Sequence, residues 1–145
     1  MAARASADWP DARAALGQAQ ALHRRAEALA AENARRYAEV LRALESPGAI
    51  DLGAALDQAA DIPLRIAETA NDVALLAAHS ADLCAPHVRA DVLAAAALAA
   101  GAARAAAELV AVNLTAMQGD ERVARAWDLA VAARQSAGTV SGAPS

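Results

Sequence analysis

Apolar residues recur at helical spacing along nearly the whole chain, and no segment of useful length alternates apolar and polar positions as a strand does. The first helix is expected from Asp8-Trp9-Pro10-Asp11 to about Leu44. Asp8 can cap it, Pro10 suits its first turn, and Asp11 suits the positive end of its dipole. Leu16, Ala19, Leu22, Ala26, Leu29, Asn33, Tyr37, Val40 and Leu44 mark one side. Arg24, Arg25, Glu27, Glu32, Arg35, Arg36, Glu39 and Arg42 mostly take the other. Glu45-Ser46-Pro47-Gly48 ends this helix. Asp51 can cap a short second helix running to about Ala60. Asp61-Ile62-Pro63 then opens a third, with Pro63 in its first turn, which reaches about Cys84 and breaks at Ala85-Pro86. The fourth, from about His87 to Met117, is the richest in alanine. Gly119 separates it from a fifth, about Asp120 to Ala137. The segment Gly138 to Ser145 reads as a disordered Gly/Ser/Pro-rich tail. The expected fold is all-α: one domain over residues 1–137, a bundle of long and short helices.

Composition changes how such a bundle must hold together. Hydrophobic residues make up 57% of the 145, enough for a core, yet about a third of all residues are alanine and Phe is absent. Alanine favours helix and loses no side-chain entropy, but it buries little area. Helices lined with it can approach closely, and burial against a second copy compensates for a thin core. A homodimer is therefore expected; a monomeric bundle resting on its scattered Leu, Val and Ile is the alternative.

Charge and cysteine usage exclude several classes. The net charge is −4 and Lys is absent. The arginines are spread among Asp and Glu, so no basic face collects, and nucleic acid is not an expected partner. Cys84 is the single cysteine, which rules out an intrachain disulfide and a cysteine-based zinc site. His23, His79 and His87 lack metal-ligand spacing, and no metal is expected. Residues 1–8 lack the apolar core of a signal peptide. The longest apolar run, Val92 to Ala103, is cut by Arg104 and Glu108 and is short for a bilayer. A cytoplasmic protein with no membrane partner is the expectation. No GxGxxG, P-loop, HExxH or GxSxG motif occurs.

Two helical stripes carry the candidate chemistry. On the third helix Arg65, Glu68, Asp72 and His79 fall within roughly 60° of one another. They form either a solvated face of i,i+3 and i,i+4 pairs or a carboxylate–imidazole lining for a small-molecule pocket. On the fourth helix Asp91, Ala95, Leu98, Ala102, Leu109 and Asn113 share a stripe, with Arg104, Glu108 and Thr115 on another. Asp91 and Asn113 are thus polar groups on a face of small apolar residues. Asp91 is either a dipole-favoured N-terminal residue or a functional carboxylate; Asn113 is either an amide bonded to a neighbouring backbone or a ligand contact. They stand roughly 33 Å apart along the helix, so one copy cannot bring both to one small ligand. Antiparallel pairing of two fourth helices would set Asp91 of one copy level with Asn113 of the other.

Ile62-Pro63-Leu64-Arg65-Ile66-Ala67-Glu68 is similar to the "VPLxxAE" segment of the cyclodeaminase/cyclohydrolase family, the folate-handling domain of formiminotransferase-cyclodeaminase and of certain methenyltetrahydrofolate cyclohydrolases. Arg89-Ala90-Asp91 opens an Ala-rich helix where that family has an "SD" or "AD" pair. Val112-Asn113-Leu114 resembles its "N(V/I)xxNL", and Ala31 to Leu41 its acidic, alanine, aromatic, valine segment. The resemblance spans about Ala15 to Ala137. It implies an all-helical dimer that acts on a tetrahydrofolate derivative, releasing ammonia from the 5-formimino adduct or hydrolysing the 5,10-methenyl adduct. It casts Glu68 and Asp91 as acid/base or electrostatic groups, Arg65 and Asn113 as orienting substrate, and Asp72 and His79 as substrate contacts. Three departures stand out. The family's Gly-rich opening, like "PGGGS", has no counterpart, Asn33 replaces a frequent Asp, and Ala90 replaces a frequent Ser. A non-catalytic helical module and an enzyme for a non-folate cyclic imine are the alternatives. Only Trp9, Tyr37 and Trp127 can stack on a pterin ring.

Overall fold

The computed structural model describes residues 9–46, 48, 51–115 and 119–141. Four α-helices account for most of them: α1 (Ala12–Glu45), α2 (Leu52–Ser80), α3 (Arg89–Asn113) and α4 (Glu121–Ser141), with a 3-10 turn at Pro86–Val88 before α3. No strand occurs among the described residues, so the fold is all-α.

α1 ends where the sequence indicated, with the Ser46 N–H closing on the Arg42 carbonyl at 3.1 Å. Asp8 lies outside the described residues, and Asp11, at the start of α1, makes no side-chain cap bond. Asp51 does cap α2: its Oδ1 accepts from the Gly53 and Ala54 N–H groups at 2.9 and 3.2 Å.

The expected second and third helices are one continuous helix, α2, with Pro63 inside it. An interior proline loses one backbone bond and crowds the carbonyl four residues earlier, at a cost of about 3 kcal/mol. Here Ile62, Pro63 and Leu64 are all buried. Burying each such side chain contributes about 1.5–3 kcal/mol, which offsets the defect. α2 ends at Ser80, four residues short of the expected Cys84, and turns lead on to Pro86.

Gly119, at φ 83°, adopts a left-handed conformation that permits the turn into α4. α4 does not stop at Ala137. It continues to Ser141, because Val140 is buried in a cluster with Ala77, Ala81, Val92 and Ala96. The expected disordered tail therefore begins no earlier than 142, and residues 142–145 lie outside the described residues.

α2 is the hub: α1, α3 and α4 all pack on it, α3 packs on α4, and α1 packs closely on α2 alone. The contact surfaces are largely alanine. Ala60, Ala74, Ala103, Ala107, Ala126 and Ala133 are fully enclosed, with Val110 and Leu114 among them. Among the described residues no helix packs on the outer face of α3: Leu98, Leu109 and Val112 are exposed on it. With its leading turn, Pro86–Asn113 is long and apolar enough by length and composition to cross a membrane. Counting only the uninterrupted run to Ala103 understated this, since alanines continue past Arg104. The opposite face of the same helix packs on α2 and α4, as a core helix does.

Candidate functional site: an ion cluster on α2 and a cavity beside it

The polar stripe of α2 splits into groups with different partners. Glu68 is the most enclosed, its side chain 24% exposed. One carboxylate oxygen accepts from Arg25 of α1 at 3.4 Å, and the other accepts from Arg125 of α4. Arg25 also donates to Asp72 at 3.2 Å. Glu68 is thus held between two arginines from two helices, and the cluster joins α1, α2 and α4. Arg65 turns to Glu32 of α1 at 3.1 Å. These two border a shallow groove of about 390 Å³ with Arg36, Gln58 and Asp61. His79 is exposed and belongs to neither group. Arg25 and Arg125 were not singled out in the sequence. Their partners lie 43 and 57 residues away, and no local spacing signals such a pair.

A second cluster pins the start of α4 to α2. The Arg122 guanidinium donates to Asp61 at 2.8 Å, to Asp120 at 2.8 Å and to the Asp57 carboxylate. Asp120 also accepts from the Arg122 backbone N–H at 2.9 Å. The side-chain hydrogen bond from Arg122 holds the Asp120 carboxyl below its ordinary range. The three carboxylates in turn raise the Arg122 pKa, Asp120 most of all.

A cavity of about 510 Å³ lies between the first half of α1, the second half of α2 and the start of α3. Its walls are mainly apolar, with Leu22, Val73, Leu76 and Val92 among them. The polar groups that reach it are few. The Ser80 hydroxyl donates to the Leu76 carbonyl at 2.7 Å, and the Cys84 thiol donates to the Ala81 carbonyl at 3.5 Å. His23 pairs with Glu27 at 3.6 Å. Three groups are left over, the exposed Gln20 carboxamide among them. Asp91, the one carboxylate lining the cavity, has no hydrogen bond or ion pair among the described residues. Trp9 is only 7% exposed, and its indole N–H is buried without an acceptor.

The candidates therefore divide. Asp91 lines the cavity; Glu68, Asp72, Arg65, His79 and Asn113 do not. Asn113, the last residue of α3, is half-buried at the far end of that helix. Of the three aromatic residues, only Trp9 lines the cavity. Tyr37 is exposed on α1, and Trp127 lies under Arg104, whose guanidinium carbon is 4.5 Å from the ring centroid.

The described residues form an all-helical domain with an alanine-lined core and an open cavity lined by the exposed Asp91 carboxylate. The chain matches the profile of the formiminotransferase-cyclodeaminase family over residues 2–133, and it belongs to that family. No curated protein and no solved structure gives a match.

Proposed function

We propose that this protein acts on a folate one-carbon adduct, or a related cyclic imine, by cyclodeaminase/cyclohydrolase-type chemistry in the cavity beside Asp91. The observation that carries the reading is the family match over nearly the whole chain. The cavity supplies what the chemistry needs. A 5,10-methenyl adduct is a cationic amidinium, and an unpaired carboxylate on an apolar wall is its natural counter-charge. Water adds to the methenyl carbon and gives one proton to Asp91; the hydroxyl of this adduct then becomes the formyl carbonyl as the ring C–N bond breaks, and the hydroxyl proton goes to the departing ring nitrogen. The net change consumes one water and releases one proton. In the ammonia-releasing direction the carboxylate stabilises the cation as it forms. Glu68 serves by holding α1 and α4 on α2, since both of its oxygens are engaged by arginines. Asp72 shares that duty through Arg25, and Arg65, His79 and Asn113 lie outside the cavity.

The reading includes a cytoplasmic homodimer. The outer face of α3 presents Leu98, Gly101, Ala102, Ala105, Leu109 and Val112 as one exposed apolar stripe. Two such faces meeting antiparallel bring Asn113 of a second copy toward Asp91. Light scattering checks this, and a stable 14.6 kDa species at micromolar concentration contradicts it.

A non-catalytic helical module is the second reading, favoured by one observation: the most enclosed carboxylate of α2 is tied up in a three-helix ion cluster. Thermal shift separates the two. The first reading expects 5,10-methenyl- or 5-formyl-tetrahydrofolate to raise the melting temperature by mass action on the native state. No shift at millimolar ligand favours the second.

A further inference from the structure

We infer that the outer face of α1 is a second contact between copies of this chain, formed when two α1 helices pair antiparallel. The inference goes beyond the reading above, which joins copies through α3 alone. At about 100° per residue, Ala30, Ala34, Tyr37, Leu41 and Leu44 fall within about 80° of one another on α1. All five are exposed, Tyr37 at 62%, Leu44 at 54% and Leu41 at 39%. Among the described residues α1 packs on α2 and on no other helix, and the residues it buries there, Leu29 and Val40 among them, lie on a different face. Isolated exposed apolar residues are ordinary, but a row of them along one helix face marks an interaction surface.

The order of the row identifies the occupant. Its small residues come first and its large ones last. Laid antiparallel on itself, the row sets Ala30 against Leu41 and Ala34 against Tyr37 of a second copy, so large side chains fill the spaces over small ones. The same register aligns opposite charges along the solvent flank. Arg24 comes opposite Glu45 and Glu27 beside Arg42, with Ala31 and Ala38 between them. All four charged residues are exposed. Arg24 and Glu45 have no side-chain hydrogen bond or ion pair among the described residues. Glu27 pairs locally with His23 at 3.6 Å, and Arg42 donates to the Ala38 carbonyl at 3.2 Å. A parallel pair would set Arg24 against Arg24 and Glu45 against Glu45, with small residues over small. The face is complementary to itself about a two-fold axis between Ala34 and Tyr37, as an isologous contact requires, so the occupant is α1 of a second copy. Combined with the α3 contact, it joins four copies as a pair of dimers.

Analytical ultracentrifugation of the full chain at micromolar concentration tests the contact, with each variant checked as folded by circular dichroism. The native chain is expected to sediment as four copies. Leu98→Glu breaks the α3 contact and leaves a dimer held by α1. Leu41→Glu breaks the α1 contact and leaves a dimer held by α3. The two together give a monomer. In the Leu98→Glu background, Arg24→Glu sets like charges opposite each other at both ends of the pair and weakens the remaining dimer about threefold or more. Adding Glu45→Arg restores opposite charges and returns the affinity to that of Leu98→Glu alone. A monomer on Leu98→Glu alone overturns a separate α1 contact and leaves the α3 dimer standing. A dimer that survives Leu98→Glu and is lost in Leu41→Glu upholds this inference and removes the α3 contact instead. A monomeric native chain overturns both. Failure of Glu45→Arg to rescue Arg24→Glu overturns the antiparallel register, and with it α1 of a second copy as the occupant.

Discussion

The two halves of α2 treat their neighbours' polar groups in opposite ways. From Asp57 to Asp72 every charge is answered, the last by Arg25. Asp57 and Asp61 meet Arg122, Arg65 meets Glu32, and Glu68 meets both Arg25 and Arg125. Beyond Asp72 the wall is apolar, and among the described residues the Gln20 carboxamide of α1, the Asp91 carboxylate of α3 and the buried N–H of Trp9, just ahead of α1, are unanswered. Paired charges rigidify a junction; unpaired ones beside an apolar void are available to a ligand. The difference separates two carboxylates that both sit on polar stripes of Ala-rich helices: Glu68 is held by two arginines, and Asp91 has no partner among the described residues.

Substitutions sharpen the contrast, beginning with the largest effect. Arg122→Ala leaves the carboxylates of Asp57, Asp61 and Asp120 without their shared cation. It is expected to lower the melting temperature by several degrees, more than any other single charge removal in the molecule. The same cluster sets an acid limit. The folded-state pKa of Asp120 is depressed below its ordinary 3.8, so its stabilisation is fully present above that value. It is lost as pH falls below 3.8 through the lower folded value. Denaturant titrations at pH 6 and near pH 3 should show this loss in the native chain and a smaller one in Arg122→Ala.

Glu68→Gln comes next. It removes the charge between two arginines but keeps the shape, and its partners are 39% and 64% exposed, so solvent screens the pair. A loss of about 1–2 kcal/mol is expected by chemical denaturation. Asp91→Asn is smallest. Within one copy its carboxylate has no partner to lose apart from the helix dipole, and a change of about 0.5 kcal/mol or less in the stability of that copy is expected. If Asp91→Asn destabilises the fold more than Glu68→Gln, the division between a paired and an unpaired half is wrong.

Much of this fold is written in local pattern. The spacing of Leu22, Leu29 and Val40 marks the buried side of α1, and Asp51 and Gly119 mark a start and a turn. What escaped depends on tertiary packing. Pro63 reads as a helix start because the sequence shows its local cost and not the burial that offsets it. Tyr37 and Leu44 read as core and are exposed, because α1 packs closely on only one helix. Asp91 was visible as a polar group in a small-residue stripe and as part of a family resemblance. Its distinguishing property, a wall of a cavity shared with Trp9, arises from three separate segments. Glu68 was equally visible, but only the arrival of Arg25 and Arg125 from other helices assigns it to the scaffold.

The most direct measurement is single-turnover hydrolysis of 5,10-methenyl-tetrahydrofolate by the native chain, Asp91→Asn and Glu68→Gln, each verified as folded by circular dichroism at the assay temperature. The account predicts a loss of about a hundredfold or more in Asp91→Asn, the range expected for removing a positioned proton acceptor. It predicts a rate within a few-fold of native in Glu68→Gln. Native-like turnover in Asp91→Asn together with its loss in folded Glu68→Gln would contradict the account and move the chemistry from the cavity to the ion cluster.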